Sequence, residues 1–175
     1  MKMREGEFEF DFAAATSVEK LDDPARRRPQ GMQLVDFVLE EQHRLVMVEV
    51  KDPSCKAKGN NPAAEAALEK SRSEFVKNVQ KDTLIADELT PKARDSYTYL
   101  HLMKRDGKPV LYAFLLGAEK LSLDPALLLS FKDRLMAKLR QETDQPWARH
   151  YVSDCVVLTE QTWNTVFPHY PVARV

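Results

Sequence analysis

The chain has 175 residues, 43% of them apolar and 30% charged, which suits one globular domain with its own hydrophobic core. Five glycines and no biased tract exclude a fibrous or disordered chain. A formal net charge of −1 excludes a histone-like polycation but leaves room for a local basic surface, because polyanion binding depends on where charge sits.

The segment "EFEFDF" (Glu7 to Phe12) alternates phenylalanine with acid, the pattern of a half-buried strand. "AAATSVEKL" reads as the start of a short helix, and "DDPARRRPQG" as a polar, proline-bounded loop. Two apolar strands follow, near 32–40 and 44–51, joined by the charged turn "EEQHR". "KDPSCKAKGNNP" is a loop. Asn61 and Pro62 then form an N-cap and first helical position, and Ala64, Leu68, Phe75 and Val79 recur at helical spacing. One amphipathic helix is expected over about 62–88. Thr90 and Pro91 restart a second, with Leu89, Ala93, Tyr97 and Leu100 on one face.

"KPVLYAFLLGAE" is a continuous apolar run, as expected of a strand buried on both faces. Asp124 and Pro125 repeat the cap-then-proline signal, opening a third helix to about Glu142 marked by Leu128, Phe131, Leu135 and Leu139. "HYVSDCVVL" is a last strand, and Thr159 caps a short helix holding Trp163. "PHYPVARV" reads as a loose tail that docks on a partner. With no internal repeat and no linker, residues 1–175 are expected to form a single α/β domain, a mixed central β-sheet flanked by helices.

The hairpin carries the chemistry. Strand side chains alternate between faces, so Leu45, Met47, Glu49 and Lys51 share one face while Val46, Val48 and Val50 share the other. A symmetric turn between Gln42 and His43 pairs residues whose numbers sum to 85, which sets Asp36 directly opposite Glu49, Cβ atoms about 5 Å apart. A bulge or a shift of one residue would break this registry. Two opposed carboxylates repel unless neutralised, and a divalent cation does that. A lysine beside them orients a water or steadies a pentavalent phosphorus. Glu-x-Lys alone carries little information, and paired charges also decorate solvated strand edges. Here the acids interrupt strands that are otherwise apolar on both faces, where burial without a partner is costly.

At these residues the chain resembles the PD-(D/E)xK nuclease superfamily: an acid on one strand, Asp36, then "Glu49-Val50-Lys51" on the next, with twelve residues between the acids. The family's proline is absent, since Val35 precedes Asp36. The resemblance covers about residues 7–120 and implies a restriction-endonuclease-like core. It implies that Asp36, Glu49 and the backbone carbonyl of Val50 bind Mg²⁺ or Mn²⁺, and that Lys51 positions the attacking water. Many members add an acid from an N-terminal helix; Glu19 is the first candidate for that catalytic role, Asp22 or Asp23 the next. Gln80 falls where some members carry a QxxxY motif, but Leu84 stands in place of the tyrosine, so Gln80 reads as a surface residue.

The implied function is Mg²⁺-dependent phosphodiester hydrolysis of nucleic acid, DNA ahead of RNA, with a homodimer or protein partner supplying substrate choice. The alternative is a catalytically silent nuclease-fold module for binding or assembly in a defence or repair complex. A third reading makes the hairpin merely structural. Seven basic residues between Lys51 and Lys81 stand against four acids; Lys70, Lys77 and Lys81 form either a phosphate-contact ridge or a solvated helix face. Arg26 to Arg28, Lys56 and Lys58 carry the same two readings. Trp147, Trp163 and Tyr151 read as packing residues rather than base platforms. His43, His101, His150 and His169 make no zinc motif, and no Walker, GxGxxG or G-x-S-x-G pattern occurs. Cys55 and Cys155 are expected to be reduced thiols, and the absence of a secretory or membrane-length apolar run places the chain in the cytoplasm.

Overall fold

The computed structural model describes residues 1–25, 29, 31–57, 59, 61–141 and 145–175. Its centre is a five-stranded mixed sheet in the order β3-β4-β5-β6-β7, from β3 (Ser17–Lys20), β4 (Phe37–Glu40), β5 (Leu45–Lys51), β6 (Val110–Leu116) and β7 (Asp154–Leu158). β3, β4 and β5 form an antiparallel meander, while β5, β6 and β7 run parallel. The parallel connections carry the helices: α1 (Pro62–Gln80) and α2 (Thr90–Leu102) between β5 and β6, and α3 (Pro125–Arg140) between β6 and β7. A second sheet, ordered β1-β2-β8, joins β1 (Lys2–Glu5), β2 (Phe8–Asp11) and β8 (Val172–Arg174). The α/β class and the mixed sheet are therefore as the sequence implies; the small sheet is an addition.

The central sheet buries both faces. Leu45, Met47, Val110, Tyr112 and Phe114 pack with Ala93 and Leu100 of α2 and Phe131, Leu135 and Leu139 of α3. Val46, Val48, Leu111 and Ala113 pack on the other face with Phe8, Phe10 and Phe12 and with Trp163 of α4 (Glu160–Val166). The alternation of "EFEFDF" thus aims three aromatic rings into one core, where Phe10 meets Phe12 at 5.1 Å and Trp163 at 5.5 Å between ring centroids.

Helix starts follow their caps. Asn61 accepts the N–H of Ala64 and Asp124 that of Ala126, each before a proline, and Thr159 forms a reciprocal capping box with Thr162. The expected single helix over 62–88 is interrupted: α1 closes at Gln80, and Asp82 adopts a left-handed φ of 61°. The chain then enters a π-helical turn, Ile85–Leu89, that runs into α2. Pro91 explains it: without an N–H it gives up one hydrogen bond and its ring crowds the preceding turn, which widens.

Two further expectations are corrected. "AAATSVEKL" does not open a helix: Ser17 to Lys20 form β3 against Phe37 to Glu40, because edge pairing outweighs the helix preference of a short alanine run. The C-terminal segment is not loose. Val172 pairs with Phe10 and Arg174 with Phe8, and the Trp163 indole donates to the Tyr170 carbonyl at 2.7 Å. Among the described residues no helix is long and apolar enough to cross a membrane.

Candidate functional site

The hairpin keeps the register summing to 85: Phe37 faces Val48, Val38 faces Met47, Leu39 faces Val46 and Glu40 faces Leu45. Asp36 lies one step beyond the ladder, in line with Glu49. Its backbone carbonyl accepts from Leu21 at 2.9 Å, and its Oδ2 accepts the N–H of Val50 at 2.6 Å. A strand residue presents its N–H and C=O to the same neighbour, so the Val50 carbonyl faces the edge where Asp36 sits. The segment before Asp36 leaves the ladder because α2 takes over its amides: Ser96 Oγ accepts the N–H of Val35 and Asp95 that of Gln33. The strand expected from residue 32 therefore begins only at Phe37.

Asp36 is 3% exposed and Glu49 fully buried. Glu49 Oε1 receives two ammonium groups, Lys92 Nζ at 2.6 Å and Lys51 Nζ at 3.5 Å. Lys51 also meets Glu88 Oε2 at 2.5 Å. Glu49 Oε2 is buried and has no hydrogen-bond partner among the described residues. The sequence did not single out Lys92 or Glu88. The one available signal for Lys92 was its place just after Pro91, where a cation runs against the helix dipole. Glu88 reaches Lys51 from the π-helical turn, which helical periodicity does not foresee.

The electrostatics follow from burial. Desolvation first, then the facing Glu49, push the Asp36 carboxyl up to about 9. Desolvation also raises Glu49, against the pull of Lys92 and Lys51. Burial works against the Lys51 ammonium, but the Glu88 hydrogen bond and the charge of Glu49 outweigh it, and its pKa rises. The metal-free Asp36–Glu49 pair therefore holds a proton at neutral pH.

A second set of acids adjoins Asp36. Carboxylate oxygens of Glu5, Asp22 and Asp36 lie within 4.8 Å of one another. Asp22, a fallback among the N-terminal acids, is thus brought to the site, and so is Glu5, which the sequence did not mark. Glu19, the first choice, is not in this group: it stands on β3 opposite Val38 and forms an ion pair with Arg105. The expected N-terminal helix does not exist, so the acids arrive from strand ends. Asp23 instead accepts the N–H of Ala25 in a turn. Gln80 is exposed at the end of α1, as a surface residue should be. Lys70, Lys77 and Lys81 are exposed. Arg26 to Arg28 and Lys58 lie outside the described residues.

Asp36 and Glu49 supply carboxylate oxygens and Val50 a carbonyl, a donor set suited to a hard divalent cation. The buried Glu49 Oε2 is an acceptor that such a cation would satisfy, and it would displace the Asp36 proton. In donor type the residues present suit such an ion, and the acids whose oxygens lie within 4.8 Å of one another are Glu5, Asp22 and Asp36. Comparison of the chain with protein-family models, curated proteins and solved structures gives no match.

Proposed function

We propose that this chain is a metal-dependent nuclease of the PD-(D/E)xK kind, with a restriction-endonuclease-like core, cleaving phosphodiester bonds of nucleic acid. The observation that carries the reading is the convergence of Asp36, Glu49 and Lys51 on one sheet face, with a buried Glu49 oxygen left unsatisfied. Bound by Asp36, Glu49 and the Val50 carbonyl, Mg²⁺ or Mn²⁺ would neutralise the carboxylates and acidify a water. Lys51 would orient the attacking water and meet the charge developing on the phosphate oxygens. Lys92 holds the Glu49 carboxylate in place. The preference for DNA over RNA rests on the resemblance alone.

The second reading, a silent binding or assembly module, is favoured by the closure of the centre: Glu49 is fully buried and capped by Lys92, and Lys51 is engaged by Glu88. Incubation with plasmid, linear and single-stranded DNA and with RNA, in Mg²⁺, Mn²⁺ or EDTA, separates the two. Cleavage that needs metal and disappears in Lys51→Ala supports the nuclease. Binding without cleavage in every metal supports the module.

A further inference from the structure

Trp147 departs from the sequence reading of a packing residue: it is 42% exposed, whereas the chain's only other tryptophan, Trp163, is fully buried. Trp147 stands over Tyr151 at 6.4 Å and 75°, and Tyr151 lies 5.4 Å from Tyr97. These three rings, with Arg94, Thr98 and Arg149, line a cavity of about 310 Å³. Its volume is at the lower end of small-ligand sites. Both arginine side chains are more than half exposed, Arg94 at 53% and Arg149 at 69%. Arg149 lies 6.0 Å from the Tyr97 ring centre, and its Nη2 is 3.6 Å from Asp106. The cavity therefore joins aromatic faces to two solvent-facing guanidinium groups, the combination that holds a flat ring next to an anion.

The cavity shares α2 with the carboxylate centre. At about 100° per residue, Arg94 and Tyr97 lie roughly 200° and 140° round the helix from Lys92, the residue that reaches Glu49. The two sites thus lie on different sides of one helix, about 10–12 Å across. Arg94, Thr98 and His101 are exposed on the cavity side of α2.

We infer that the cavity formed by Trp147, Tyr151, Tyr97, Arg94 and Arg149 is a subsite for an unpaired base and its phosphate, so that a single strand crosses α2 on its way to the carboxylate centre. The occupant is single-stranded nucleic acid because stacking faces require an exposed base, which a duplex does not offer, and the two guanidinium groups, though beside Asp95 and Asp106, keep solvent-facing N–H groups for a phosphate. The inference rests on the nuclease reading for the direction of the strand, but binding is measurable without cleavage.

The test uses Trp147 itself. The full chain is titrated in EDTA with oligothymidylate of about ten nucleotides, following tryptophan fluorescence. Quenching is expected, since the other tryptophan is buried; it should weaken as salt rises. Arg149→Glu should weaken binding at least tenfold, and Trp147→Phe should abolish the signal while keeping binding in an anisotropy assay with labelled oligonucleotide. Because binding is measured in EDTA, without metal-dependent cleavage, a failed nuclease assay leaves this result standing. A circular dichroism spectrum of each variant guards against unfolding. Equal binding of duplex and single strand, unchanged affinity in Arg149→Glu, or quenching by an acidic aromatic peptide in preference to the oligonucleotide would overturn the inference.

Discussion

Asp36 accepts the Val50 amide at 2.6 Å, and by doing so replaces the backbone partner that β4 would have offered had it continued. A side chain thus completes the ladder at the point where the strand departs. The same hydrogen bond holds the carboxyl beside Glu49, in a place where two negative charges cannot both persist without compensation.

The first prediction concerns the proton on Asp36. Its folded pKa of about 9 stands above its ordinary value of 3.8. The folded state therefore keeps a proton that the unfolded chain loses, and the contribution of Asp36 to stability is fully present below about pH 4 and declines as pH rises towards 9. Asp36→Asn keeps an acceptor for Val50 and removes the titration. Without metal, its thermal midpoint should match the parent near pH 4 and exceed it at pH 8, by roughly 4–8 °C for ~2 kcal/mol. A lower midpoint at pH 8 would contradict two converging carboxylates.

Lys92 should matter more than its surface-like sequence position suggests. Lys92→Ala removes the closer of the two cations from a fully buried carboxylate, and should cost about 3 kcal/mol at neutral pH. The loss should shrink in acid, because Glu49 takes up a proton and no longer needs the ammonium. Adding Glu49→Gln to Lys92→Ala should recover stability, a non-additivity readable from urea midpoints.

Cation binding should release protons. Calorimetric titration of Mg²⁺ or Mn²⁺ in buffers of differing ionisation enthalpy should show about one proton leaving per ion at neutral pH. Affinity should rise with pH and level off above about 9, once Asp36 is deprotonated in the metal-free protein. Asp36→Asn should lose both the proton release and most of the affinity. Binding that is independent of pH would place the ion elsewhere.

The loop after Lys51 depends on the two ends of other elements. Arg174 grips Asp52 through both terminal nitrogens, at 2.7 and 2.9 Å, and also meets Glu7 and Glu119. Gly117 donates its N–H to the Lys51 carbonyl, and a Cβ there would stand 2.2 Å from Asp52 Oδ1. Gly117→Ala must therefore displace Asp52 from Arg174, at about 1–3 kcal/mol. Arg174→Ala should destabilise similarly, and the double variant by less than the sum. Simple additivity in denaturant melts would show that the two do not act through Asp52.

Much of this is legible in the amino-acid sequence. Alternation in "EFEFDF", the apolar run in "RLVMVEVK" and the cap-proline pairs at Asn61 and Asp124 are local signals: the first gave a strand and its buried face, the second a strand, the last two helix starts. The hairpin register followed from turn symmetry, so the alignment of Asp36 with Glu49 was also readable. Glu19 failed because its segment takes its conformation from pairing with β4, and no local signal distinguishes that edge strand from a short helix.

The amino-acid sequence by itself determined the strand faces, the helix starts and the opposition of the two hairpin acids, since these depend on neighbours a few residues away. Tertiary structure alone decided that Lys92, Glu88, Asp22 and Glu5 come to that pair, that Trp147 stays in solvent, and that Arg174 closes on Asp52. Those contacts join residues tens of positions apart, and the packing of helices and termini on the sheet, rather than any periodicity, sets which side chains meet.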